Sequence, residues 1–441
     1  MGTLYGPNSA PYDEGKFPIL LTDWGHNSAF QAVQTHKLED PSILLNGVGN
    51  VTRFNNSVFA PLIPDPYTIH FDPPQKGVAK RYLLRIINTS FDSTFVFSID
   101  NHILQIVEAD FVPIKPYNGT SVLVGIGQRY HVIVTAQPQS NGRPLPTDGN
   151  YWIRTWKANC FSFNQSKASA GYEETGILRY GSRQTLPNST AWSNVSLNCS
   201  DESYDNLKPI LPWTVGKPIN DPSGNVGENF TVDGDDATTF YPLAFFSMGG
   251  NHNPLRVDYG NPTFLNLNNT GPWNPLWVVF PENHKSDDWV YMVIQGAGGF
   301  TYNQHPIHLH GHDFAILQQI ESATFPKNLS LNTHNPPRRD VVLLPEDGYV
   351  VIAFKTDNPG TWLVHCHIAF HAAAGLAMQF MERQTDARNI WPSLNASHAL
   401  RVAQQGCVNW NNWWGNCTNW WPGDGEGCQY GSDVTSPDSG I

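Results

Sequence analysis

Seven of the sixteen histidines fall in two short stretches, His305-Pro306-Ile307-His308-Leu309-His310-Gly311-His312 and His365-Cys366-His367-Ile368-Ala369-Phe370-His371. If each stretch is extended, residues two apart share a face. His308 and His310 then point one way, as do His365 and His367, and these four imidazoles can meet in one space between domains. Cys366 faces the opposite side. His305, three residues before His308, has the opposite parity and can join Cys366, while His371 can loop back to it. Two imidazoles and one thiolate in a trigonal array with a weak or absent axial ligand make a blue-copper electron-transfer site, and an imidazole-only set suits further copper ions. The peptide joining Cys366 to His365 and His367 would wire the two sites together, so that electrons enter singly and leave as a group. A zinc hydrolase would need an acid–base carboxylate beside the metal, as in His-Glu-x-x-His, and neither stretch has that pattern. His312, with Asp313, reads as a supporting residue because the ligand faces are already filled. His26, His36, His70, His102 and His131 read as ordinary core or surface residues.

Strands must hold these motifs, and the rest of the chain supplies them. Its 441 residues suffice for two or three domains. With 37 glycines, 34 prolines, 12% aromatic and only 15% charged residues, the composition points away from helical bundles and towards many-stranded sandwiches or barrels. Alternating apolar segments run from Phe17 to about Tyr180, clearest at Ile19 to Trp24, Tyr82 to Ile87, Phe95 to Ile99 and Arg129 to Val134. A Ser/Asn/Asp/Pro/Gly-rich stretch, 181–240, reads as a linker. A second block, 241–400, includes strands at Trp289 to Ile294, Gly348 to Phe354 and Thr361 to His367. Tyr130-His131-Val132-Ile133-Val134 followed by Gly149 to Ile153 echoes Tyr349-Val350-Val351-Ile352-Ala353 followed by Pro359 to Leu363, which predicts one sandwich used twice. Aligning Trp152 with Trp362 puts Thr155 and Trp156 where the second block has His365 and Cys366, so the first block keeps the fold without the metal site. The tail 401–441, with five tryptophans among three cysteines, reads as a loop-like arm tied by a disulfide. A net charge of −12 argues against a nucleic-acid partner, and no run reaches the roughly 20 apolar residues of a spanning helix. No signal peptide is visible at the start, yet thirteen Asn-x-Ser/Thr sites, among them Asn88, Asn118, Asn188, Asn194 and Asn198, point to an extracellular, glycosylated protein.

The two histidine motifs resemble the third cupredoxin domain of multicopper oxidases. The wider chain resembles the ascomycete fungal laccases, from Gly6-Pro7-Asn8-Ser9-Ala10-Pro11-Tyr12-Asp13 to the closing Asp438-Ser439-Gly440-Ile441. The resemblance implies an all-β fold of two cupredoxin-like Greek-key sandwich or barrel domains. Residues 1–16 would be a remnant of a linker from a first domain, 17–180 the family's second domain without a type 1 site, and 241–400 the third. It implies His305, Cys366 and His371 as type 1 copper ligands, with Leu376 at the non-coordinating axial position and hence a higher potential. His308 would bind type 2 copper, and His310, His365 and His367 the type 3 pair. The closing Asp-Ser-Gly-Ile resembles a plug that such laccases insert towards the cluster. Family members surround that cluster with eight histidines, four of them from a first domain; only four are expected here, and oxygen reduction by this chain alone is not expected. The resemblance also pairs Cys160 with Cys199, allows Cys417 with Cys428, and leaves Cys407 without its partner. The complete enzyme would take single electrons from phenol-like reductants near His305 and reduce O2 to water. A non-catalytic copper-binding or electron-transfer protein using the type 1 site alone is the second expectation, and a structural relative binding no copper the third. For a carboxylate that orients phenols, Glu108 and Asp110 are candidates, read first as ordinary turn residues. No pattern specifies the oligomeric state.

Overall fold

The computed structural model describes residues 10–25, 27–29, 42–49, 66–160, 173–218, 228–234, 243–247, 253–282, 284–296, 304–321, 329–391, 397–416 and 419. Its first half contains β1 (Glu14–Gly15), β2 (Ile19–Trp24), β3 (Ser42–Leu45), β4 (Val48–Gly49), β5 (Tyr67–His70), β6 (Arg81–Asn88), β7 (Phe95–Ile99), β8 (Leu104–Ala109), β9 (Val112–Gly119), β10 (Ser121–Val124), β11 (Arg129–Thr135), β12 (Asn150–Lys157) and β13 (Glu173–Arg179). The second half contains β14 (Glu228–Gly234), β15 (Leu243–Ser247), β16 (Val279–Glu282), β17 (Trp289–Gln295), β18 (His305–Leu309), β19 (Phe314–Ile320), β20 (Arg338–Arg339), β21 (Val341–Leu344), β22 (Tyr349–Lys355), β23 (Gly360–Cys366) and β24 (Ala377–Glu382). Helix α1 (Ala369–Ala373) lies between β23 and β24, and α2 (Gln384–Ile390) and α3 (His398–Trp414) follow β24.

Each half is two facing sheets, and the halves repeat one another. In the first, β3-β2-β6-β11-β8-β9 faces β10-β7-β12-β13-β5; in the second, β15-β14-β17-β22-β19-β20 faces β21-β18-β23-β24-β16. The parallel pairs recur as well, β2 with β6 as β14 with β17, and β13 with β5 as β24 with β16. The echo around Tyr130 and Tyr349 is therefore an echo of central strands, β11 and β22. Between the sheets the apolar positions close on one core per half, with Tyr82, Leu84, Ile86, Phe97 and Ile153 in the first and Val290, Ile352, Phe354, Val364 and Phe380 in the second. Burial of that apolar surface is the main force joining the sheets. β22 reads as a continuous apolar run because both its faces are covered: Val350, Ile352 and Phe354 enter the main core, and Tyr349, Val351 and Ala353 pack outward against Val215 and Leu317.

Three expectations need correcting. The stretch taken as linker contains β14, which pairs with β17; short strands rich in Glu, Asn and Asp carry too little apolar alternation to stand out. Glu14–Gly15, placed in a linker remnant, pairs with β6. The tail, read as loop-like, begins with α3. The Ser397 side chain accepts the Leu400 amide to cap it, and Trp410 and Trp414 stack with centroids 5.8 Å apart, one turn from each other. Cys160 and Cys199 are disulfide-bonded, and Cys407 is a buried free thiol on α3. Cys417, Cys428 and the closing Asp-Ser-Gly-Ile lie outside the described residues. Among the described residues no helix is long and apolar enough to cross a membrane.

Candidate metal centres

Strand parity decides which side chains meet. Ile307, Leu309, Val364 and Cys366 face the second core, and the register of β18 on β23 sets His308 opposite His365 and Ile307 opposite Cys366. His305, two residues before Ile307, shares the inner face and is fully buried. β23 ends at Cys366, and the chain turns through α1 and folds back: the Leu376 amide donates to the His371 carbonyl, and the Cys366 amide to the Leu376 carbonyl, each at 3.0 Å. That return brings His371 to Cys366, with Leu376 buried in the same core.

The three donor atoms converge. Cys366 Sγ lies 3.5 Å from His305 Nδ1 and 3.7 Å from His371 Nδ1, and the two nitrogens are 3.2 Å apart. A trigonal ion at about 2.0 Å from each nitrogen and about 2.3 Å from sulfur separates N from N by about 3.5 Å and N from S by about 3.7 Å, so this triad fits a copper ion of the blue type. Burial holds both imidazoles neutral, His371 down to about 4 and His305 well below its ordinary value, the latter also by repulsion from His371. Burial first, and then the charge of Asp92, pushes the Cys366 thiol up; a bound cation reverses that preference by stabilising the thiolate.

On the other face lie His308, His310, His365 and His367. Nε2 of His310 and Nε2 of His365 are 3.0 Å apart, and the ring centroids of His308 and His367 are 5.7 Å apart. Nδ1 of His308 bonds the Asp340 carbonyl at 2.6 Å and Nδ1 of His365 the Cys366 carbonyl at 2.9 Å, leaving each Nε2 for the shared space. Burial, then the neighbouring rings, lowers His310 to about 4, and lowers His367 as well. In His365, burial again dominates and takes it to about 3. Four imidazoles facing one space are a ligand set for soft or borderline cations. A cleft of about 710 Å³, lined by His308, His310, Trp213 and Arg338, opens onto them.

The first sandwich lacks ligands at the matching places: on β7 and β12, Phe97 sits opposite Thr155 where β18 and β23 pair His308 with His365. It shapes the site from outside. Gly127 has φ +79°, and a Cβ there would lie 2.4 Å from Cδ2 of His367. Arg129 donates to Asp340 at 2.7 Å, fixing the residue whose carbonyl holds His308. Beside α1, the Phe91 carbonyl accepts the Ala369 amide and the Phe91 ring meets Phe370 edge-on at 5.6 Å. Asp92, next in sequence, is half-buried and raised to about 6 by burial and then by Asp23.

Asp92 had no marker in the sequence, because a lone Asp in a polar turn looks like any other. Of the two acidic candidates, Glu108 departs from the turn reading and Asp110 keeps it. Glu108 is buried on β8, 3.2 Å from His131 Nδ1. Asp110 does turn the chain, at φ 44°, but is a buried partner of Arg339 at 2.8 Å. His102 is a satisfied core residue, bonded to the Asp100 carbonyl and the Tyr180 hydroxyl. His70 is exposed; His26 and His36 lie outside the described residues. His312 pairs with Glu382 at 2.8 Å rather than with Asp313, and although burial opposes it that carboxylate keeps the ring's pKa above its ordinary value. Asn88 cannot carry a glycan in this fold, since it is buried and its Nδ2 donates to the carbonyls of Ser93 and Val124.

Two family models described as multicopper oxidase match the chain, over residues 15–183 and 247–386. The chain is 38% identical over 436 residues to a laccase of Arthroderma benhamiae and 37% identical over 416 residues to Laccase-1 of Botryotinia fuckeliana, covering 95% and 93% of itself but 65% and 66% of them. It thus spans about two thirds of the length of these curated relatives. It covers 80% of Laccase-3 of Botryotinia fuckeliana at 35% identity. Among solved structures, the laccase of Botrytis aclada superposes with a TM-score of 0.75 at 35% identity, over 93% of this chain and 71% of that one.

Proposed function

The chain belongs to the multicopper oxidase family, and on that footing we propose that it takes part in laccase-type one-electron oxidation of phenolic or similar reductants coupled to reduction of O2 to water. His305, Cys366 and His371 would hold type 1 copper, with Leu376 buried in the same core, His308 would hold type 2 copper, and His310, His365 and His367 the type 3 pair. The two sandwiches, β1 to β13 and β14 to β24, are then the family's second and third cupredoxin domains. The bound copper would supply reversible one-electron chemistry at the sulfur-ligated centre and four-electron chemistry with O2 at the imidazole centre. What carries the reading is the run His365-Cys366-His367: its middle residue points to the sulfur-containing triad and its outer two to the imidazole set, so two peptide links join the centres. Asp92 is a half-buried carboxylate beside the loop that bears His371, suited to accept the proton a phenol releases as it gives up an electron. Phe91 and Phe370 offer that phenol an aromatic wall.

These 441 residues provide four imidazoles for the cluster, so the electron-accepting and O2-reducing halves of the activity must be tested apart. The copper-loaded chain is expected to be blue and to bleach when mixed anaerobically with a phenol; absence of the blue band in a fully copper-loaded sample overturns the assignment. Bleaching without O2 uptake favours the second reading, an electron-transfer protein using the Cys366 triad alone. The sequons at Asn118, Asn188, Asn194, Asn198 and Asn268 have exposed asparagines, which supports an extracellular glycoprotein.

A further inference from the structure

A buried carboxylate lies behind the turn that aims His310, and the reaction proposed above does not use it. β18 ends at Leu309, and His310-Gly311-His312 forms the turn. Glu382, at the end of β24, is fully buried; one of its oxygens accepts the Asn358 amide at 2.9 Å and the other lies 2.8 Å from His312 Nε2. The opposite nitrogen of His312, Nδ1, reaches the His310 carbonyl at 3.1 Å. The Asn358 side chain donates to the Gly311 carbonyl at 2.9 Å, and the backbone carbonyl of Asn358 accepts Trp362 Nε1 at 2.7 Å. Gly311, at φ +74°, packs so close to Trp362 that a Cβ would fall 2.5 Å from the indole. Two consecutive carbonyls of the turn, those of His310 and Gly311, are thus tied through His312 and Asn358 to one carboxylate.

We propose that Glu382, His312 and Asn358 form a brace that sets the direction of the His310 ring, making them positioning residues for metal capture by the imidazole cluster. The inference rests on the reading of His308, His310, His365 and His367 as metal ligands. Burying polar groups is costly unless they find partners, and the contacts of Glu382 and His312 converge on the one turn that carries His310. Partners behind metal-binding histidines alter affinity by about 10- to 100-fold when removed. The Cys366 triad lies on the other face of β18 and β23 and has no bond to the brace, so it serves as the internal control.

The test titrates copper(II) into the full-length chain and its variants, following the blue band for the Cys366 triad and total bound copper for the imidazole set, with thermal unfolding of the metal-free proteins alongside. Glu382→Gln is expected to weaken copper at the imidazole set by about 10-fold or more while leaving affinity at the triad unchanged. Asn358→Ala, which removes only the bond to Gly311 from a half-buried side chain, is expected to produce a smaller loss of the same kind and carries the test if Glu382→Gln does not fold. Equal losses at both centres, or a lower unfolding temperature with unchanged imidazole-set affinity, overturn the brace. A wild-type chain that fills the triad but takes no copper at the imidazole set overturns the ligand reading itself.

Discussion

Cys366 and Asp92 place the sharpest demands on the proposed chemistry at the scale of single residues. Cys366→Ser keeps the buried volume but removes the thiolate, so the blue band should vanish and bound copper fall by one equivalent, as absorption and metal analysis would show. Asp92 titrates near 6 because burial and Asp23 disfavour its charge. Phenol-driven anaerobic bleaching should therefore rise with pH through about 6 and then level, and Asp92→Asn should remove that rise and slow bleaching by roughly 100-fold. A carboxyl whose folded pKa is raised contributes stability at low pH that is lost as pH climbs from its unfolded value, near 3.8, through about 6. Asp92→Asn should then unfold at a higher temperature than the parent at pH 8 while reacting more slowly, and a parallel fall in both would refute the role. The proposed metal-binding set is legible in the sequence because two-residue periodicity alone sorts His365, Cys366 and His367 onto opposite faces. Asp92 and Glu382 are not, since each reaches the site through a contact between distant segments and leaves no local pattern.

Turns, at the next scale, do as much to place the imidazoles as strands. Gly127 and Gly77 share φ +79°, but a Cβ at Gly77 meets nothing within 4 Å, whereas at Gly127 it collides with His367. Alanine at either position carries the same left-handed strain, about 1–2 kcal/mol. Only Gly127→Ala should also weaken copper at the imidazole set; matched unfolding curves with unmatched copper titrations would show it, and identical titrations would disprove the contact's importance. The main strands are readable because their apolar residues alternate or run continuously through covered sheets. α3 is not, because Asn409, Asn411 and Asn412 are poor helix formers and the helix is held instead by its Ser397 cap and by Trp410 packing on Tyr259 and Trp414. Ser397→Ala should therefore cost about 1 kcal/mol, read as a lower midpoint in chemical denaturation if α3 unfolds with the body.

Across the whole molecule, the two sandwiches are joined by buried charge. Arg339 of the second half is fully buried, donates to Asp110 at 2.8 and 3.1 Å and to the Tyr130 hydroxyl at 2.7 Å, and lies 3.8 Å from Asp201. Asp201 in turn accepts Gln128 from the first half and Gln319 and the Leu343 amide from the second. Removing one member of such a set leaves the others charged and dry, at a cost of about 3–5 kcal/mol that neutralising those others should relieve. The hub neighbours Asp340, whose carbonyl holds His308, so its integrity links the fit between halves to the imidazole cluster. Arg339→Met is expected to lower the denaturation midpoint sharply and to split unfolding into two transitions, one per sandwich, because the seam would open before either core melts. Adding Asp110→Asn and Asp201→Asn to that variant should recover most of the lost stability. If the triple variant is instead as unstable as the single one, the seam is held by packing and not by this charge network, and the two halves should then remain one cooperative unit in every variant.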